Sequence, residues 1–169
     1  MAAEVSPAQI VLLMGVAGSG KTTVGHQLAR DLGWRFADAD EFHPPANVAN
    51  MSAGQPLTDA DRAPWLAAIR SYIDTALARG ESAVVTCSAL KATYRRALLA
   101  DPARVRLVHL HGTRDQLWAR ISARENHFMK PAMLDSQLAA LEPPTDALTV
   151  DIGPPPAEIA ADIRHRLSL

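Results

Sequence analysis

Apolar residues in this chain fall into two alternating patterns. Short unbroken runs, Ile10–Met14, Trp34–Asp38, Ala83–Thr86, Val105–Leu110 and Leu148–Ile152, read as buried strands. Between them the apolar positions recur every third or fourth residue. Lys21–Leu32 is a helix closed by Gly33, and Trp65, Ile69, Tyr72, Ile73, Ala76 and Leu77 mark a second that Gly80 stops. Thr58 and Asp61 stand at capping-box spacing before that second helix, with Pro64 in its first turns. Lys91–Leu99, Asp115–Arg124 and Ala157–Leu167 are further helices, and Leu134, Leu138 and Leu141 mark a short one after Pro131. Pro44–Leu57 holds three prolines and a glycine, so it reads as irregular with one helical turn near Asn47–Met51. Strand alternating with helix predicts an α/β fold with a parallel sheet of five strands, covered on both faces, with ligands at the carboxyl ends of the strands.

Composition narrows the classes. At 169 residues and 48% apolar, the chain predicts one domain over 1–169 with a substantial core. A formal net charge of −1 lacks the positive field of a nucleic-acid-binding domain. The first apolar run is too short for a signal peptide or a membrane span, and Cys87 is the one cysteine. The expectation is a cytoplasmic protein with no nucleic-acid or membrane partner.

The chemistry enters directly after the first strand. Gly15-Val16-Ala17-Gly18-Ser19-Gly20-Lys21-Thr22 is a complete phosphate-loop pattern, followed by Thr23. Its glycines let the backbone curl so that successive N–H groups face a phosphate, and the helix dipole adds to them. Lys21 suits the outer phosphates, and the Thr22 hydroxyl suits Mg²⁺. The GTPase patterns D-x-x-G and N-K-x-D are missing, and the third strand ends in Thr86-Cys87-Ser88 without a carboxylate. A small-molecule kinase is favoured over a GTPase or a motor ATPase. Asp38 and Asp40 follow the second strand beside this loop. If the stretch stays strand-like both point the same way, Asp38 toward the metal and Asp40 as base for an acceptor hydroxyl. Cys87 reads as a small buried residue, and Trp65 as a core anchor of its helix.

Beyond the phosphate loop, several segments are specific. They are Asp38-Ala-Asp-Glu-Phe-His-Pro44, Asn47 with Met51, Gly54-Gln-Pro-Leu-Thr-Asp-Ala-Asp-Arg62 with Pro64-Trp65, Cys87-Ser-Ala-Leu-Lys91 with Tyr94-Arg95, His127-Phe128 and Val150-Asp151. With them the chain resembles the gluconokinases from about Ile10 to Ile152. The resemblance implies a three-layer α/β/α phosphate-loop fold of the nucleoside-monophosphate-kinase type, ATP and Mg²⁺ as cosubstrates, gluconate as acceptor and a homodimer. An anionic polyhydroxy acceptor calls for fixed cations, for which Arg62, Lys91 and Arg95 are candidates, while His43 and Asn47 suit hydroxyls. The stretch of about 120–142 is expected to form a helical lid. Arg120 and Arg124, on one helix face, would meet the transferring phosphoryl group, and His127 is a further substrate candidate. The rival readings are a shikimate-kinase-like enzyme and a nucleotide-binding regulator without turnover.

Overall fold

The computed structural model describes residues 6–124 and 130–169. The sheet contains β1 (Ile10–Met14), β2 (Arg35–Asp38), β3 (Ala83–Thr86), β4 (Val105–His111) and β5 (Leu148–Asp151). All pairings are parallel, in the order β2-β3-β1-β4-β5, so β1 is central and β2 lies at one edge. The helices are α1 (Lys21–Leu32), α2 (Pro45–Ser52), α3 (Asp59–Ala78), α4 (Ala92–Leu98), α5 (Arg114–Ser122), α6 (Pro131–Ala140) and α7 (Pro156–Leu167). Among the described residues no helix is long and apolar enough to cross a membrane.

Alternation along β1 builds the three layers. Ile10, Leu12 and Met14 pack with Trp65, Ile69 and Ile73 of α3 and Leu98 of α4. Val11 and Leu13 face the opposite core, with Val24 and Leu28 of α1, Leu117 of α5, Leu134 of α6 and Ile163 of α7. All five residues of β1 are buried, which explains the unbroken apolar run. Helix α1 passes so close to the sheet that a Cβ on its Gly25 would stand 2.7 Å from Phe36 Cε2 and 2.9 Å from Thr86 Cγ2.

Two local expectations are corrected. The Pro44–Leu57 stretch holds a full helix, α2, where a single turn was expected, because Pro45 serves as a helix-initiating residue. Strand β2 ends at Asp38, and Ala39–Phe42 forms a 3-10 turn. The Asp38 carboxylate causes the break: Oδ1 accepts the Asp40 N–H at 2.9 Å and caps the turn. Asp38 and Asp40 therefore do not share a side by strand alternation.

Candidate active site

The phosphate loop leaves the central strand with a neighbour on either side. Gly18 has φ +80°, and a Cβ there would stand 2.8 Å from both Leu117 O and Ile121 Cγ1. Gly20, at φ 86°, caps α1 from the left-handed region that glycine occupies freely. The first helical bond of α1 runs from Val24 N–H to Gly20 O at 2.9 Å, which leaves the Lys21, Thr22 and Thr23 amides facing outward at a positive dipole end. Lys21 Nζ donates to Gly15 O at 2.8 Å and Val16 O at 3.2 Å. Burial lowers its pKa, and the negative charge of Asp40 is the strongest opposing influence. Val16 and Ser19 are buried beneath the loop and shape it from below.

A cavity of about 310 Å³ opens above the loop, lined by Ala17, Gly18, Gly20, Lys21, Thr22, Asp38, Asp40, Thr86, Cys87, Ser88, Arg124 and Gln137. The two aspartates thus meet here despite the broken alternation. Asp40 is open to solvent at the cavity mouth, yet the walls desolvate its carboxyl enough to raise the pKa, and Asp38 pushes the same way. Lys21 and His43 oppose that shift. Burial pushes the Cys87 thiol up to about 12, so it is inert, in keeping with its reading as a small buried residue.

Beyond Asp40 the groups continue outward. His43 stacks on Trp65 with ring centroids 4.4 Å apart, and Trp65 Nε1 donates to Ala39 O at 2.6 Å. Burial lowers the His43 pKa; Asp40 raises it and Arg62 adds to the lowering. Asn47 is buried, donates to Asp61 O at 2.8 Å and lies 3.3 Å from His43 Nδ1. It holds the His43 ring and joins α2 to α3. Arg62 donates to Leu57 O at 2.8 Å and Tyr94 OH at 3.2 Å. Lys91 reaches Asp59 at 3.4 Å, and Tyr94 OH donates to that same carboxylate.

Arg95 is engaged by the backbone. Its guanidinium donates to Ala89 O at 2.9 Å, Leu90 O at 3.0 Å and Glu142 O at 2.7 Å. With 6% of its surface exposed, it staples the turn after β3 to the segment after α6; like His43, Asn47, Arg62 and Lys91, it does not line the cavity itself. It borders a larger groove of about 1110 Å³ between α4, β4 and Pro143–Leu148, which contains no part of the phosphate loop.

Arg120 and Arg124 separate. Arg120 donates to Ile152 O and lines a recess with Thr23, Gly153 and Pro154–Pro156, outside the main cavity. Arg124 borders both spaces. His127 lies outside the described residues. Helix α6 is docked firmly: Leu134 is fully buried, and Asp135 takes a two-point ion pair from Arg114 of α5, at 2.5 and 3.2 Å. Sequence reasoning missed Gln137, whose Oε1 accepts the Ala17 N–H at 2.8 Å. No motif signals it, since the partner is 120 residues away.

Comparison with known proteins gives consistent neighbours. The shikimate kinase family profile matches residues 17–144. A gluconokinase of Gluconobacter oxydans (strain 621H) is 50% identical over 138 residues, covering 82% of this chain and 78% of that protein. A crystal structure of a gluconokinase from Sinorhizobium meliloti 1021 superposes with TM-score 0.80 at 42% identity, covering 96% of each chain. A sugar kinase structure from Janibacter sp. HTCC2649 gives TM-score 0.86 at 43% identity, covering 96% of this chain and 95% of that one.

Proposed function

Because the chain belongs to the gluconokinase family, on a shikimate-kinase-type domain, we propose that it transfers the γ-phosphoryl group of ATP to the 6-hydroxyl of D-gluconate. The products are ADP and 6-phospho-D-gluconate. The observation that carries this reading is the cavity that brings Lys21 and Asp40 together above the phosphate loop, with the linked pairs His43–Asn47, Arg62–Tyr94 and Lys91–Asp59 on the segments that follow. An anionic phosphate fits one end and a carboxylate the other, with hydroxyls between.

In the transfer, the bond from the γ-phosphorus to the β,γ-bridging oxygen breaks and a bond to the gluconate 6-oxygen forms. The hydroxyl proton passes to Asp40, whose raised pKa makes it a better acceptor than an ordinary aspartate. The transition state is loose, so orienting the hydroxyl weighs at least as much as removing its proton. Lys21 and Arg124 both line the cavity, and in this reading they neutralise charge on the transferring group. The Arg62 and Lys91 cations receive the gluconate carboxylate, and His43, braced by Asn47, receives a hydroxyl.

The donor set suits Mg²⁺. Thr22 and Asp38 offer hard oxygens on the cavity wall, and Thr86 Oγ1 is buried there without a partner among the described residues. Bound with the nucleotide, Mg²⁺ supplies charge neutralisation of the outer phosphates. The recess lined by Thr23, Arg120 and Pro154–Pro156 is assigned to the adenine ring. The stretch of about 120–142 is assigned as the lid, with Arg124 and Gln137 on the cavity wall. A cytoplasmic homodimer completes the proposal, with sedimentation at several concentrations as the check on its subunit number.

A coupled ADP-release assay with a panel of gluconate, other sugar acids and shikimate tests the reading. Gluconate is expected to dominate, with phosphate on O6 by ³¹P NMR. No ADP above the ATP-only control with gluconate, alongside turnover with another acceptor, overturns it.

A further inference from the structure

Gln137 sits on α6, in the wall of the cavity that contains Lys21, Asp40 and Arg124. A backbone N–H only donates, so the contact between Ala17 N–H and the side chain at 2.8 Å fixes Oε1 toward the loop. The Nε2 end of the same carboxamide is then turned away from the loop. Among the described residues it has no protein acceptor. Helix α6 cannot readily swing, because Leu134 is fully buried one turn earlier and Asp135 is paired with Arg114. The result is a neutral two-proton donor, held on a rigid element at the edge of the phosphate site. Such a preset donor favours negative charge developing opposite it.

We propose that Gln137 is a further substrate-positioning residue of the transfer site, whose Nε2–H donates to an oxygen of the γ-phosphoryl group while Oε1 holds the Ala17 amide. The inference rests on the phosphate-loop kinase reading of this cavity and is independent of which acceptor is used. A carboxamide is suited to this double task. Lysine lacks an acceptor for Ala17, and glutamate lacks a donor for the phosphoryl group.

The test separates the two halves of the side chain. Gln137→Glu keeps an acceptor for Ala17 N–H, deletes the donor and places negative charge against the phosphoryl group. Calorimetric titration with ADP and with β,γ-imido-ATP, each with Mg²⁺, gives the readout on folded protein, with melting temperature as the fold control. The expected result is a loss of about tenfold or more in imido-ATP affinity with ADP affinity kept within about threefold. Gln137→Ala is expected to weaken imido-ATP selectively but less, since it adds no charge. In turnover with gluconate, kcat falls for both variants while the gluconate KM stays within about threefold. Equal weakening of both nucleotides in Gln137→Glu, or wild-type binding and kcat in that variant, overturns the proposal and leaves Gln137 only as a loop anchor. The nucleotide titrations contain no acceptor, so their outcome stands apart from whether gluconate is the substrate.

Discussion

Replacing Arg95 by methionine distinguishes a structural arginine from a substrate-binding one. The methionine keeps much of the side-chain volume and deletes three hydrogen bonds, to Ala89 O, Leu90 O and Glu142 O. Hydrogen bonds from a charged donor are each worth about 1.5–3 kcal/mol net. The three share one side chain, and Glu142 is exposed enough for its carbonyl to regain water, so the sum is discounted to about 3–4 kcal/mol. Ala89 adds a reason not to discount further. Its φ of 44° is a left-handed conformation that a non-glycine residue adopts under strain, and its carbonyl is one of those Arg95 holds. For a chain of this length about 2–4 °C accompanies each kcal/mol, giving a melting temperature lower by about 10 °C. Thermal and urea unfolding measure the loss, and steady-state kinetics well below the transition give the gluconate KM, expected within about twofold of wild type. Arg95→Lys is expected to fall between, retaining part of the carbonyl contacts. An unchanged melting temperature with a gluconate KM raised tenfold or more would refute the structural assignment and return Arg95 to the substrate.

Three further outcomes are expected. Burial and then Asp38 raise the Asp40 pKa above the ordinary aspartate value of 3.8 in the free protein; Asp40→Asn is expected to keep ATP binding by calorimetry and lose most of kcat, and near-normal turnover removes Asp40 from the proton-accepting role. Burial, followed by His111 and Arg95, pushes the His109 pKa down from 6.5 to about 4, so the unfolded chain takes up a proton first. Stability is therefore full above pH 6.5 and drops as pH falls toward 4, by about 2–3 kcal/mol at most, and urea titrations of His109→Gln should lack that slope. Gly25→Ala gains about 1 kcal/mol in helix propensity, but its methyl group meets Thr86 and Phe36; a net loss of about 1–2 kcal/mol in urea unfolding is expected, and a stabilised variant would show that α1 can move away from the sheet.

The sequence was most legible where local chemistry decides the structure. Helix α1 runs over the expected residues because Gly33 takes the left-handed cap at φ 67°, and the Thr58–Asp61 capping box closes with both of its hydrogen bonds. Buried strands stood out because β1 and β3 are covered on both faces. The acidic pair was found for its position, but its geometry was misread: a carboxylate capping its own turn overrides strand alternation. Charged and amide side chains were least legible. Arg95 finds a carbonyl 47 residues away and Gln137 an amide 120 residues away, and neither partner leaves a mark in the local pattern. The gluconokinase resemblance pointed to segments without saying which of their polar groups face the cavity.

The sheet order divides the labour of the site mechanically. The phosphate loop springs from β1, gripped by a strand on each side, whereas Asp38, Asp40 and the segment leading to Arg62 hang from β2, which has one neighbour. The nucleotide half is anchored like a keystone and the acceptor half like a bracket on the outer wall. A bracket can be exchanged without disturbing the keystone. Between Asp38 and the start of β3, this scaffold has a natural seam along which acceptor preference can diverge while the phosphate-binding machinery stays fixed.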